Sequence, residues 1–259
     1  MEEENKYLKR QEIIDYPGKK LPVAFLIDMS DSMNKCKGGT PTGETQFSDG
    51  VAWFIVRNGS ETVMDRLKRR VQDFHEAMAR DRRTSVTCQT AFVGFGDRAR
   101  VLDDFSLVKN KAVSTDRWEA GDNDTFIADG IEMALRMLDG QKELIQKEGG
   151  DYYQPWLLIF TDGKAHDSPE RLQRIKRELL ERQNSGKLTV YAVALGDDPE
   201  LYSNIRGYSK WRPIPYDAEG EKLSEFFEFL KRSVSSISAG KVTKSIPSFG
   251  DPDDMYSLQ

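Results

Sequence analysis

The feature that most constrains this chain is the stretch Leu21-Pro-Val-Ala-Phe-Leu-Ile-Asp-Met-Ser-Asp-Ser-Met33. Val23 to Ile27, entered through Pro22, form an unbroken apolar run, too short for a helix and without polar alternation. That is the pattern of a strand buried on both faces of a parallel sheet. The run stops at Asp28, and Ser30 and Ser32 follow at every second position. In open α/β sheets, ligands bind beyond the carboxyl ends of the strands. One carboxylate with two hydroxyls is a hard-oxygen donor set, suited to Mg²⁺ or Mn²⁺ rather than to zinc or copper.

Two later segments match this reading. Leu157-Leu-Ile-Phe-Thr-Asp-Gly163 is a second buried-strand run, ending in Asp162. Between the two runs, Gly121-Asp-Asn-Asp-Thr125 is a polar loop that opens an amphipathic helix, with Ile127, Ile131, Leu135 and Leu138 as its apolar stripe. A structural reading, in which Asp28, Ser30 and Ser32 merely cap the next helix, accounts for the first cluster alone.

Taken together, Asp28-x-Ser30-x-Ser32, Thr125 and Asp162 resemble the metal-ion-dependent adhesion site (MIDAS) of von Willebrand factor A (VWA) domains. The resemblance covers residues 20–239, most of the chain. It implies that Ser30, Ser32 and Thr125 offer hydroxyl oxygens to Mg²⁺ or Mn²⁺, with Asp28 and Asp162 bound directly or through water. It also implies a protein partner that supplies an Asp or Glu to the open position of the ion. The end helix, Phe226-Phe-Glu-Phe-Leu-Lys-Arg-Ser-Val-Ser-Ser-Ile-Ser238, is similar to that of bacterial TerY-type proteins of tellurite-resistance and stress-response loci. That likeness implies an adaptor working beside a serine/threonine kinase or a metal-dependent phosphatase of the protein phosphatase 2C type.

The remaining pattern predicts strands alternating with helices, hence right-handed crossovers. The expected fold is a Rossmann-like three-layer α/β/α sandwich with a mostly parallel sheet and one antiparallel edge strand. A helix is expected over 61–82, with Val63, Leu67, Val71, Phe74 and Met78 inward. A strand over 85–95 turns at Gly96-Asp97 into a second over 99–102, followed by polar connection to Trp118. Asp167-Ser-Pro169 starts another helix with Leu172, Ile175, Leu179 and Leu180 inward. A strand over 188–195, a short helix over 200–205, an edge strand near 212–216 and a helix over 223–238 complete the domain.

The domain is expected over 21–239, after an N-terminal arm (1–20) with little structure of its own and before a flexible tail (240–259). An insertion at about 34–60 departs from the family pattern. It reads as a Gly-, Pro- and Thr-rich loop followed by a strand over 51–56. The inserted loop either covers the site or presents Trp53 and Phe54 to a partner, or these aromatics pack onto the sheet edge.

A net charge of −5 and a pI near 5.3 exclude a general nucleic-acid binder. The basic run Arg66-Leu-Lys-Arg-Arg70 reads as a solvated helix face. The charged N-terminus has no apolar signal core, and no stretch approaches the ~20 apolar residues of a membrane span, so a cytoplasmic protein is expected. Cys36 and Cys88 are too few for a disulfide framework, and Cys88 reads as a buried thiol. His75 and His166 lack metal-spaced partners, although His166 is placed to border the site.

No nucleophile–base pair, phosphate-cradling Gly-rich loop or acid/base carboxylate pair is present, so a binding module rather than an enzyme is expected. The rival is a haloacid-dehalogenase-type (HAD-type) phosphatase or phosphotransferase with Asp28 as nucleophile. That chemistry requires an acid two residues later, where this chain has Ser30.

Overall fold

The computed structural model describes residues 2–35, 40–48, 51–57, 61–195, 199–211, 213–214 and 221–241. The elements run α1 (Glu2–Asp15), β1 (Leu21–Asp28), a 3-10 turn (Asp31–Asn34), β2 (Thr40–Ser48) and β3 (Val51–Arg57). Next come α2 (Val63–Arg80), α3 (Thr84–Thr87), β4 (Cys88–Phe95), β5 (Arg100–Leu107), α4 (Ile127–Lys147) and β6 (Trp156–Thr161). The chain continues through α5 (Pro169–Asn184), β7 (Thr189–Ala194), α6 (Pro199–Ile205) and α7 (Glu221–Ser238).

Among the described residues, the main sheet has five strands in the order β5-β4-β1-β6-β7. β1 lies at the centre, parallel to β4 and β6, and β7 is parallel to β6. β5 closes one edge antiparallel to β4. This is the expected α/β/α sandwich.

Alternation along β1 sorts its side chains between two cores. Val23, Phe25 and Ile27 join the layer of α2 and α7, where Phe25 stacks on Phe92 at 4.9 Å and lies 5.8 Å from Phe74. Ala24 and Leu26 face the layer of α4 and α5, among Ile131, Ile159, Ile175 and Leu179. Helix starts follow sequence signals. Thr62 and Asp65 form a reciprocal capping box on α2, and Ser168 caps α5 with Pro169 at its first position. In α5, Ile175 and Leu179 are buried, while Leu172 and Leu180 are half-buried.

The structure corrects several expectations. Residues 2–15 form a helix, although they lack an apolar stripe. Ile13 is its buried apolar anchor, and polar contacts do the rest. Glu12 accepts from the Leu107 N–H (2.9 Å) and Asn110 Nδ2 (2.8 Å), Lys9 pairs with Asp104, and Arg10 donates to Glu148 (2.8 Å). Residues 84–87 form a helical turn rather than strand, because Asp81 Oδ1 accepts the Thr84 N–H at 2.7 Å and caps it. β5 extends to Leu107 because Phe105 and Leu107 are buried against the sheet.

In the insertion, 40–48 is a strand rather than loop, pairing antiparallel with β3 in a small sheet of its own. Phe47 and Ile55 on this hairpin are exposed, and the side chains of Trp53 and Phe54 lie outside the described residues. The edge strand near 212–216 is represented by one bridge, Ile214 to Val193; Arg212 and residues 215–216 are outside the description. Cys36 and the tail from 242 onward also lie outside it. Cys88 is buried, and burial pushes its thiol up to about 12. Among the described residues, no helix is long and apolar enough to cross a membrane.

Candidate metal centre

The parallel pairing of β1 with β6 brings Asp28 and Asp162 to one edge of the sheet. Asp28 is fully buried. Its Oδ1 accepts the Ser30 N–H at 2.9 Å and its Oδ2 accepts the Thr161 hydroxyl at 2.5 Å. The Ser30 and Ser32 hydroxyls are 2.9 Å apart, and Ser32 donates to Asp162 Oδ1 at 2.5 Å. Thr125 is 3% exposed, so it is buried rather than lying on an open loop. Its hydroxyl makes no hydrogen bond among the described residues. A Cβ placed on Gly163 would sit 3.1 Å from Thr125 Oγ1 and 3.3 Å from Asp28 Oδ2. Glycine at 163 therefore lets these two oxygens face a common small space. The structure thus brings together all five residues singled out in the sequence.

Backbone bonds fix the loops that carry them. The N–H groups of Gly121 and Asp122 donate to the Met29 carbonyl at 2.9 and 3.1 Å, and Asp31 N–H donates to the Asp122 carbonyl at 2.8 Å. Arg100 holds the Asp122 carboxylate at 2.7 Å. His166 borders the site, as expected: its Nδ1 accepts the Thr125 N–H at 2.9 Å, and its own N–H donates to the Thr125 carbonyl at 3.0 Å. Asp167 accepts the Ala128 N–H at 3.2 Å, at the start of α4. Such cross-bracing holds ligands in place before anything binds.

Burial raises both site carboxyls. Asp28 is pushed above the usual carboxylate range by desolvation, although hydrogen bonds from Ser30 and Thr161 oppose the shift. Asp162 is pushed up to about 7, by burial first and by the charge of Asp28 second, with the Ser32 hydrogen bond and then the Lys35 charge opposing. Two such carboxylates side by side need a positive counter-charge to be ionised together.

The donor set suits a hard divalent cation, with three hydroxyls, two carboxylates and no sulfur or imidazole. Gly163 leaves room where a side chain would fill the site, and Thr125 Oγ1 lacks a partner. The residues therefore fit the group. Among the described residues, no three His, Cys, Asp or Glu side chains cluster as a metal site. The candidate set has only two carboxylates, Asp28 and Asp162, beside the hydroxyls of Ser30, Ser32 and Thr125.

For the dehalogenase-type rival, Ser30 occupies the position of the acid. Asp31 accepts from Asn34 Nδ2 at 3.3 Å. The acidic stretch 196–198 lies outside the described residues.

Sequence reasoning missed Thr161, Gly163 as a spacer, and the braces Asp122 and Asp167. Thr161 stood beside Asp162 in the strand-ending Thr-Asp-Gly. Its bond to Asp28 depends on the register of two strands distant in sequence.

No family model matches the chain, and no curated protein matches it. Solved structures do. The D319A mutant of the PilB minor pilin from Streptococcus sanguinis is 14% identical over 86% of this chain and 64% of that one, with a TM-score of 0.59. The vWF domain of the type V pili tip protein Mfa5 from Porphyromonas gingivalis is 10% identical over 89% of this chain and 99% of that domain, with a TM-score of 0.55. A von Willebrand factor type A protein from Catenulispora acidiphila is 14% identical over 83% of this chain, with a TM-score of 0.52. The chain spans less than two thirds of the PilB and Catenulispora chains, at 64% and 43%. At these identities the likeness concerns the fold alone. In its sheet order, its layers and its likeness to these structures, the chain has the fold of von Willebrand factor A domains.

Proposed function

We propose that this protein is a metal-dependent protein-binding module, an adaptor rather than an enzyme. In this reading Ser30, Ser32 and Thr125 hold a Mg²⁺ or Mn²⁺ ion through their hydroxyls, with Asp28 and Asp162 as its counter-charges. The observation that carries the reading is the convergence of these five side chains at one sheet edge, with two carboxyls raised by burial and one hydroxyl unpartnered. When bound, the cation supplies an open position for an acidic side chain of a partner protein.

This chain's own groups do the rest. Thr161 and the Ser30 N–H orient Asp28, Ser32 orients Asp162, and His166 fixes the Thr125 backbone. The hydroxyl ligands carry no charge and the two carboxylates, partly held off by water, leave the ion incompletely neutralised, so a partner carboxylate is still attracted to it. That attraction is strong where neighbouring surface excludes water. The finer assignment rests on the TerY-type likeness of the end helix. It is an intracellular adaptor in a bacterial stress-response or phospho-signalling system, with a serine/threonine kinase or a protein phosphatase 2C type enzyme as partner.

The test is affinity for a co-purified partner measured with Mg²⁺, with chelator, and with Thr125→Ala. Loss in the last two conditions supports the reading, and equal affinity in all three removes the site from recognition. Turnover of an activated aryl phosphate that disappears in Asp28→Asn but survives Thr125→Ala would instead favour the phosphatase.

A further inference from the structure

A second polar site lies at the opposite end of the sheet. β4 runs parallel to β1, so the segment leading into β4 lies at the sheet edge away from Asp28. There Asp81, Arg82 and Arg83, between α2 and α3, meet Ser235, Ser236, Ala239 and Lys241 from the end of α7. Together they line a cavity of about 520 Å³.

The local fold sets this arrangement. Gly240, at a φ of 70°, takes the left-handed conformation that reverses the chain after α7. Its N–H donates to the Ile237 carbonyl at 2.8 Å and that of Lys241 to the Ser236 carbonyl at 3.0 Å. The helix-ending motif folds Lys241 back beside Ser235 and Ser236. Across the cavity, Asp81 Oδ1 accepts the N–H groups of Arg83 (3.2 Å) and Thr84 (2.7 Å), and hydrogen bonding from Thr84 first holds this carboxyl below the usual range, so its charge offsets one of the three cations.

Arg83 lies within the field of the Asp81 carboxylate, and its charge helps to lower that carboxyl. Among the described residues, the side chains of Arg82, Arg83 and Lys241 form no salt bridge, and the hydroxyls of Ser235 and Ser236 form no hydrogen bond. Cations near helix carboxyl ends also answer the helix dipole, and α2 and α7 both end here. Each end is equivalent to about half a negative charge, less than the positive charge gathered around it. The lining therefore carries two guanidinium groups adjacent in sequence, an ammonium and two hydroxyls, all donors of the kind a tetrahedral oxyanion accepts from. Arginine forks bind phosphate oxygens in pairs.

We propose that this cavity binds a phosphate monoester carried on a phosphoserine or phosphothreonine side chain of another protein. The volume falls in the range of ligand pockets, roughly 300–1,000 Å³, and exceeds the needs of a bare phosphate. Among the described residues, the lining holds no aromatic ring on which a nucleotide base would stack.

The test is calorimetry with four probes: a short phosphoserine peptide, its unphosphorylated form, inorganic phosphate and AMP. Each is measured on the wild type, Arg82→Gln, Arg83→Gln and Arg177→Gln. Arg177, exposed on α5 and outside the cavity, controls for net charge. The phosphopeptide should bind tightest. Arg82→Gln and Arg83→Gln should each weaken it about 10-fold, the loss expected for one charge-assisted hydrogen bond. Arg177→Gln and metal chelators should leave it unchanged, which separates this site from the metal centre. Equal affinity for the phosphorylated and unphosphorylated peptides overturns the proposal. So does equal weakening by Arg177→Gln, or tighter binding of phosphate or AMP than of the phosphopeptide. Arg82 and Arg83 are exposed, and near-UV circular dichroism of both variants checks that the fold is intact.

Discussion

The interiors of β1 and β6 and their carboxyl ends, a few residues apart, obey opposite rules. In the interiors, Val23–Ile27 and Leu157–Phe160 are fully buried, matched residue for residue across the ladder, and apolar throughout. Burial there drives folding, at about 25 cal/mol for each Å² of apolar surface removed from water. At the ends, burial falls on Asp28 and Asp162, and it raises both carboxyls. One part of the strand stabilises the molecule. The other opposes folding unless a positive charge arrives. Binding sites are commonly less stable than the scaffold that holds them, because groups arranged for a ligand are poorly satisfied without it.

The largest effect should come from breaking the interior. Phe25→Ala removes a ring that packs on Phe74, Phe92 and Phe160 and should cost about 3–5 kcal/mol in denaturant unfolding. If the cost is under about 1 kcal/mol, the strand interior is not the source of stability claimed here.

A second test uses His75, buried on α2 and held down to about 4 by desolvation. Its folded value lies below the unfolded value near 6.5, so its contribution to stability is complete above about pH 6.5. It is lost as pH falls toward 4, by about 3 kcal/mol in total. His75→Gln should flatten that slope in unfolding measured across pH 4–7.

Asp162 should show the opposite sign. Its folded value near 7 lies above the unfolded one, so its contribution is most favourable at low pH and is lost as pH rises through about 7. Asp162→Asn should therefore make the metal-free protein about 2 kcal/mol more stable at pH 8, allowing for its partial exposure. Destabilisation by this substitution would mean that the carboxylate is already compensated.

The smallest effect should come from Thr161→Val, which removes one hydrogen bond to Asp28 and should cost about 1 kcal/mol. If Thr161 orients Asp28, the variant should also bind Mg²⁺ more weakly, which a purely structural role would not require.

The same contrast explains what the sequence revealed. β1 and β6 were legible because strands buried on both faces write unbroken apolar runs, and each run ends where an aspartate begins. Thr125 was legible from the start of an amphipathic helix. α1 was not, because it is tied down by Glu12, Lys9 and Arg10 rather than by an apolar face. β2 was missed because Thr40–Ser48 has loop composition, although Asp49-Gly50 between two strand-length segments is a hairpin signal that went unread. The role of Thr161 and the cavity beside Arg82 and Lys241 depend on contacts between distant segments. No local pattern announces them.

The most direct test of the account is unfolding of the wild type and Asp162→Asn at pH 8, each with Mg²⁺ and with chelator. The account predicts that Mg²⁺ stabilises the wild type, because a ligand that binds the folded state alone shifts the equilibrium toward it. In Asp162→Asn that increment should vanish, while the chelated variant is more stable than the chelated wild type. Equal stabilisation of both proteins by Mg²⁺, or of neither, would contradict a metal centre built on Asp28, Ser30, Ser32, Thr125 and Asp162.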